Sequence, residues 1–308
     1  MKKLIVTFFL LLLWAVIYFY HKNITDYIMY DIIYKNDFVY SPPNEYKKIN
    51  SFKYVKEVSD FNPKDKQDII NIIYTGLNNG WENFTFFCHL DEYEDCLDDV
   101  EEVTNDKVLM SNLNNYLSTY NSFNKVIVNI NNFGRVNINV YKLYSDNDIA
   151  ILDERVEEIY DELISDNMSD VEKIKAIHDY IINNTRYDND RSEEIKNDTY
   201  INIYHHSNMA FGPLIDGKAI CGGYTDAMAL FLDKMHLENY KVSGEKHIWN
   251  LVYVNGEWKH LDLTWDDPVV NTGEDMLLDS FFLVDSKTLL EKDSTQHTFD
   301  ETVFIEAK

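Results

Sequence analysis

The chain is short of positive charge. Its 28 basic residues stand against 53 acidic ones, a formal charge of -25 over 308 residues. Such a surface repels nucleic acid phosphates and anionic headgroups, which excludes DNA and RNA as partners. The acidic runs DEYEDCLDDVEE (91–102) and DNDRSEE (188–194) lack the glycine and ligand spacing of a calcium loop, and read as solvated loops or faces. No CxxC or HxxxH spacing occurs, so no zinc motif is present, and neither a metal nor a cofactor is expected. Internal repeats and long low-complexity tracts are missing too.

Small residues are absent where a signal-peptide cleavage site would need them. No Ala, Gly or Ser lies between Val16 and Tyr40, and no cysteine is near enough to carry a lipid. The seventeen uncharged residues Leu4 to Tyr20, behind Lys2 and Lys3, therefore read as an uncleaved membrane anchor. At about 1.5 Å per residue they span roughly 26 Å, slightly under a hydrocarbon core of about 30 Å. Trp14, Tyr18 and Tyr20 could extend the span into the interface. The basic flank places the rest outside the cytoplasm by the positive-inside rule, with a secreted form as the alternative.

Cysteine is scarce as well. Cys88 and Cys96 are separated only by HLDEYED and are expected to be disulfide-bonded outside the cytoplasm. That leaves Cys221 alone, either as a reactive thiol or as a buried core thiol.

The remaining 45% apolar residues can fill a substantial core. Residues 1–22 read as the anchor, and 23–60, with SPPN at 41–44, as a tether. Residues 61–150 read as a small α/β domain. In it, Asn62-Pro63 opens a helix whose stripe is Ile69, Ile70, Ile73 and Tyr74, ending at Gly80, and VIVNI (126–130) pairs with RVNINVY (135–141) in a hairpin. A second unit, 151–308, begins near Ile151 with a helix carrying Val156, Ile159, Tyr160 and Leu163. Ser169 and Glu172 form a capping box for the next helix, which carries Ile174, Ile177, His178 and Ile181 on one face. On that core-facing stripe His178 reads as structural.

The stretch GKAICGGYTDAMALFL places Cys221 where a helical pattern begins, after Gly217. At a helix N-terminus, unpaired N–H groups favour a thiolate and can hold an oxyanion, and Gly222 and Gly223 are expected to leave those groups uncrowded. A thiol nucleophile needs a base and an acid that orients the base. Both occur in HIWNLVYVNGEWKHLDLTWDDP (247–268). Asn255-Gly256 suits a two-residue type I′ turn, setting Val254 opposite Glu257 and Trp249 opposite Asp262. His247 then shares their face, diagonal to Asp262, at a backbone separation of about 7 to 8 Å that two side chains can bridge. A slip of one residue would turn Asp262 to the other face. The same three residue types could bind zinc, but without a zinc-type spacing.

These two segments together resemble the transglutaminase-like superfamily, whose fold is similar to papain. IHDYIINNTRYD (177–188) resembles the segment before the nucleophile in bacterial members, and FFLVDSKTLLEKD (281–293) the closing segment. The resemblance covers about 170–270 and implies an α+β fold, a papain-like core with an antiparallel sheet. It also implies Cys221 as nucleophile, His247 as base and acid, and Asp262 as the orienting residue. Trp249, Trp265 and Asp266, with Gly222, would shape the cleft. The expected reaction is thiol-dependent acyl transfer on a peptide, protein or cell-wall amide, ending in hydrolysis. Protein crosslinking and a non-catalytic extracytoplasmic binding module of the same fold are the alternatives.

Overall fold

The structure, a computed structural model, describes residues 2–33, 40–197, 204–267 and 278–308. Helix α1 (Lys2–Asp26) forms over the apolar run, and its apolar side chains from Ile5 to Tyr20 are largely exposed. Among the described residues no helix is long and apolar enough to cross a membrane, so the expected transmembrane anchor is not supported.

The segment expected to be a tether is a folded part of the molecule from residue 40 onward; 34–39 lie outside the described residues. Phe52 and Val55 are buried, Lys56 N donates to Asn71 Oδ1 at 3.0 Å, and the Trp81 indole donates to Ser41 O at 2.7 Å. Aromatic content accounts for this: Phe52 packs on Tyr116 and on Tyr240, each at 5.1 Å, and burying such a ring stabilises by about 1.5–3 kcal/mol.

Helix α2 (Lys66–Asn78) starts later than Asn62-Pro63 would set it. Asp65 is the cap, accepting from Asp68 N at 2.9 Å while Lys64 N donates to the Asp68 carboxylate at 3.0 Å. The Asn62 amide is occupied by Asp60, at 2.8 Å. The expected stripe Ile69, Ile70, Ile73 and Tyr74 is buried. Strand β1 (Asn83–Phe87) leads to Cys88, which is disulfide-bonded to Cys96 at the start of α3 (Cys96–Asn105). Helix α4 (Lys107–Asn115) follows, then β2 (Phe123–Ile130) and β3 (Arg135–Lys142), which form the expected hairpin, with β1 on the other edge of β3.

Helix α5 (Asp146–Leu163) begins ahead of Ile151 because Ser145 and Asp148 make a capping box there. Helix α6 (Asp170–Asn184) has the Ser169–Glu172 box, with Ser169 N donating to Glu172 Oε2 at 2.8 Å. A short parallel pair, β4 (Arg186–Tyr187) and β5 (Lys218–Ala219), flanks α7 (Asn189–Lys196). Then come α8 (Cys221–Lys234) and the antiparallel sheet β6 (Asn239–Ser243), β7 (Ile248–Val254) and β8 (Glu257–Leu261). Short α9 (Leu263–Asp266) and α10 (Ser286–Lys292) complete the α-helices among the described residues, and Val284 bridges to His260 at the sheet edge.

The molecule is α+β with antiparallel sheets. One core joins Ile69, Ile73, Phe86 and Ile138 to Tyr240, Trp249 and Phe304, so residues on both sides of position 150 share it. A second packs Ile174, Ile177 and Ile181 of α6 against Phe231 of α8 and Val252 of β7. Helix α8 is thereby held between α6 and the second sheet, with its N-terminus at the hairpin.

Candidate active site

Local turn chemistry sets the hairpin. Asn255 (φ 54°) and Gly256 (φ 86°) both take the left-handed backbone of a type I′ turn, Val254 pairs with Glu257, and the register runs on to Asn250 and Leu261. Trp249 and Asp262 are next in that register. Two hydrogen bonds join β7 to α8: Thr225 Oγ1 donates to Ile248 O and Asn250 Nδ2 to Thr225 O, each at 3.0 Å. Helix and hairpin are therefore fixed to each other a single turn beyond Cys221.

Cys221 is free, half-buried and the first residue of α8. The first bonds of that helix run from Gly223 N and Tyr224 N to Ile220 O, so the Cys221 and Gly222 N–H groups lie ahead of them at the helix start. The glycines here do something other than leave space. A Cβ on Gly222 would stand 3.0 Å from Asn208 O, and one on Gly223 would stand 2.7 Å from Ser207 O. They admit the 207–208 backbone against the helix.

His247 and Asp262 meet as the register requires, with His247 Nε2 donating to Asp262 Oδ2 at 2.5 Å, both side chains buried. Burial alone would lower the imidazole pKa. The Asp262 charge and hydrogen bond, with a hydrogen bond and charge from Cys221, overcome it and raise the value to about 10. Since Nε2 is committed to Asp262, Nδ1 is the ring nitrogen left for the Cys221 thiol. Burial opposes ionisation of Asp262 too, yet the His247 charge, with bonds from His247 and His297, holds the carboxyl far below its usual range. His247 thus bonds to Asp262 and interacts with the Cys221 thiol.

These shifts fix a pH window. The raised His247 value contributes stability that is complete below about 6.5, its unfolded value, and is lost as pH rises through about 10. The depressed Asp262 value contributes stability present above about 3.9 and lost as pH falls towards its folded value. Thermal unfolding of the native chain and Asp262→Asn should differ most between about pH 4 and 6.5, and the gap should narrow steadily towards pH 10. A gap that does not change with pH would contradict the ion pair.

The other expected residues fall around these three. The Trp249 ring stacks on His247 at 5.6 Å, and its indole donates to His260 Nδ1 at 2.9 Å. His260 is lowered to about 4, chiefly by burial, and its Nε2 donates to Ala307 O at 3.1 Å. Trp265 packs against the rings of Phe281 and His297, both at 5.4 Å. Asp266 is fully buried, accepting from His178 Nε2 at 3.2 Å and from Phe281 N at 2.9 Å. Asp266 thereby ties the start of the 281 segment to α6 through His178, which is itself buried.

One residue at the site was invisible in the motifs. His297 donates from Nε2 to the same Asp262 Oδ2 at 2.8 Å. His247, Asp262 and His297 could by composition hold a metal ion, with ligand atoms within 4.8 Å of one another. Their contacts of 2.5 and 2.8 Å are hydrogen-bond distances, shorter than the roughly 3.3 Å that separates ligands around a tetrahedral zinc with bonds of about 2.0–2.1 Å. The arrangement is one of side chains bonded to each other.

Among solved structures, the chain is similar to a TGase over 46% of this chain and 44% of that one, at 18% identity and a TM-score of 0.36. It is similar to a candidate cysteine protease from Cytophaga hutchinsonii over 50% of this chain and 65% of that one, at 14% identity and a TM-score of 0.28. The chain thus spans less than two thirds of the length of each. No family model and no curated protein matches the chain.

Proposed function

We propose that the protein is a transglutaminase-like thiol enzyme that cleaves amide bonds by acyl transfer, hydrolysing a peptide or cell-wall amide outside the cytoplasm. The observation that carries this reading is His247 held between Asp262 and Cys221, with the sulfur at a helix N-terminus. The Cys221 sulfur, as thiolate, attacks the carbonyl carbon, and the oxygen takes the negative charge beside the first N–H groups of α8. Collapse breaks the C–N bond, and the His247 imidazolium gives its proton to the departing nitrogen, leaving a thioester on Cys221. Water then attacks the thioester with neutral His247 taking its proton, and the acid and the thiolate are released. The Cys88–Cys96 disulfide supports the extracytoplasmic placement, because such bonds persist in oxidising compartments.

Iodoacetamide labelling of Cys221 in the full chain tests the pairing without a known substrate. His247→Ala should slow labelling at pH 7 by about tenfold or more, since the imidazolium that favours the thiolate is gone. Equal rates in the two proteins would overturn the proposed site.

A further inference from the structure

We infer that His297 is a positioning residue of this site, a second histidine that fixes the carboxylate on which His247 depends; the inference rests on the triad reading above. Asp262 Oδ2 accepts from two imidazoles, His247 Nε2 at 2.5 Å and His297 Nε2 at 2.8 Å. Its Oδ1 accepts from Thr264 N at 3.0 Å and Trp265 N at 3.4 Å. Without His297, the carboxylate would be held on Oδ1 by backbone and on Oδ2 by His247 alone. Rotation about the Asp262 side chain would then carry His247 Nδ1 off the line to Cys221.

His297 is itself built in place. Its side chain is fully buried, the ring stacked on Phe281 at 5.0 Å and edge-on to His247 at 5.3 Å. Its Nδ1 faces Asp293 Oδ2 at 3.0 Å, and Asp293 also accepts from Thr295 N at 3.1 Å and Gln296 N at 2.9 Å, which shapes the turn presenting the ring. The chain on either side of His297 passes so close to Gly244 that a Cβ there would stand 2.8 Å from Gln296 O and 2.7 Å from Thr298 O. A chain so tightly seated, ending in a buried donor aimed at Asp262, sets the direction of the carboxylate rather than merely filling volume.

The test is the pH profile of iodoacetamide labelling at Cys221 in the full chain, for the native protein and for His297→Phe, His297→Gln, Asp293→Asn and His247→Ala. His297→Phe keeps a ring and removes the donor; it should lower the labelling rate at pH 7 about tenfold and displace the profile. His297→Gln retains an N–H within reach of Asp262 and should restore most of the rate. Asp293→Asn should give a smaller, several-fold loss, and it carries the test if His297→Phe does not fold. A purely structural histidine would lower the melting temperature in these variants while leaving the profile of the folded fraction unchanged, and that result would overturn the inference. Slow labelling in His247→Ala alongside native labelling in His297→Phe and Asp293→Asn would reject the role of His297 alone. Native labelling in His247→Ala would reject the triad itself.

Discussion

Cys221→Ala should abolish turnover of any amide or ester substrate while leaving the fold intact. The sulfur is the atom that bonds to the acyl carbon in the proposed reaction. Removing the nucleophile of such a unit costs on the order of 10⁶ in kcat, leaving only the modest acceleration that substrate binding and oxyanion donors supply. The cost to stability is small for a structural reason. Cys221 is half-buried at the first position of α8, and the helix is held by Thr225, Asn250 and its apolar face rather than by the thiol. Turnover of a panel of chromogenic amides and esters, measured beside thermal unfolding, checks both halves. Activity surviving in a folded Cys221→Ala protein would end the proposed mechanism.

Asp262→Asn should damage both activity and stability. An asparagine can offer its N–H₂ to His247 Nε2, which then presents the wrong tautomer, a change worth roughly 10²–10⁴ in kcat where an acid orients a catalytic histidine. The same substitution leaves two buried imidazoles, His247 and His297, without the carboxylate they share. Removing one partner of a buried ion pair costs about 3–5 kcal/mol between about pH 4 and neutral pH, where His247 is the cation and Asp262 the anion. Urea unfolding at pH 6 together with kcat on the same panel would measure both. A variant as stable and as active as the native chain would show that Asp262 is a bystander.

These effects converge on residues that differ greatly in how legible they were. The Asn255-Gly256 turn permitted only one register, so the approach of His247 to Asp262 could be read from residues fifteen apart in the chain. The Ser169–Glu172 box, the β2–β3 hairpin and the Cys88–Cys96 bond are equally local, set by spacings of a few residues. Boundaries were less legible where several caps compete. Asp65, not Asn62, starts α2, and Ser145 starts α5 earlier than its apolar stripe suggests. Residues 40–60 look like a linker because their apolar side chains follow no period, yet Phe52 and Val55 are buried. The apolar run of α1 reads plainly as a helix, whereas the described helix does not reach the length and apolarity of a membrane span.

The sequence by itself determined the identity and chain order of thiol, imidazole and carboxylate, and the face on which the last two lie. Hydrogen-bonded turns and strand alternation are short-range, and need no knowledge of the rest of the chain. Only the tertiary structure decided what surrounds them: Thr225 and Asn250 fixing helix to hairpin, Asp266 turned to His178, His260 and the chain end holding Trp249, and His297 arriving at Asp262 from 35 residues away. Such partners come together through packing of the whole chain, and packing leaves no periodic trace at the positions it joins.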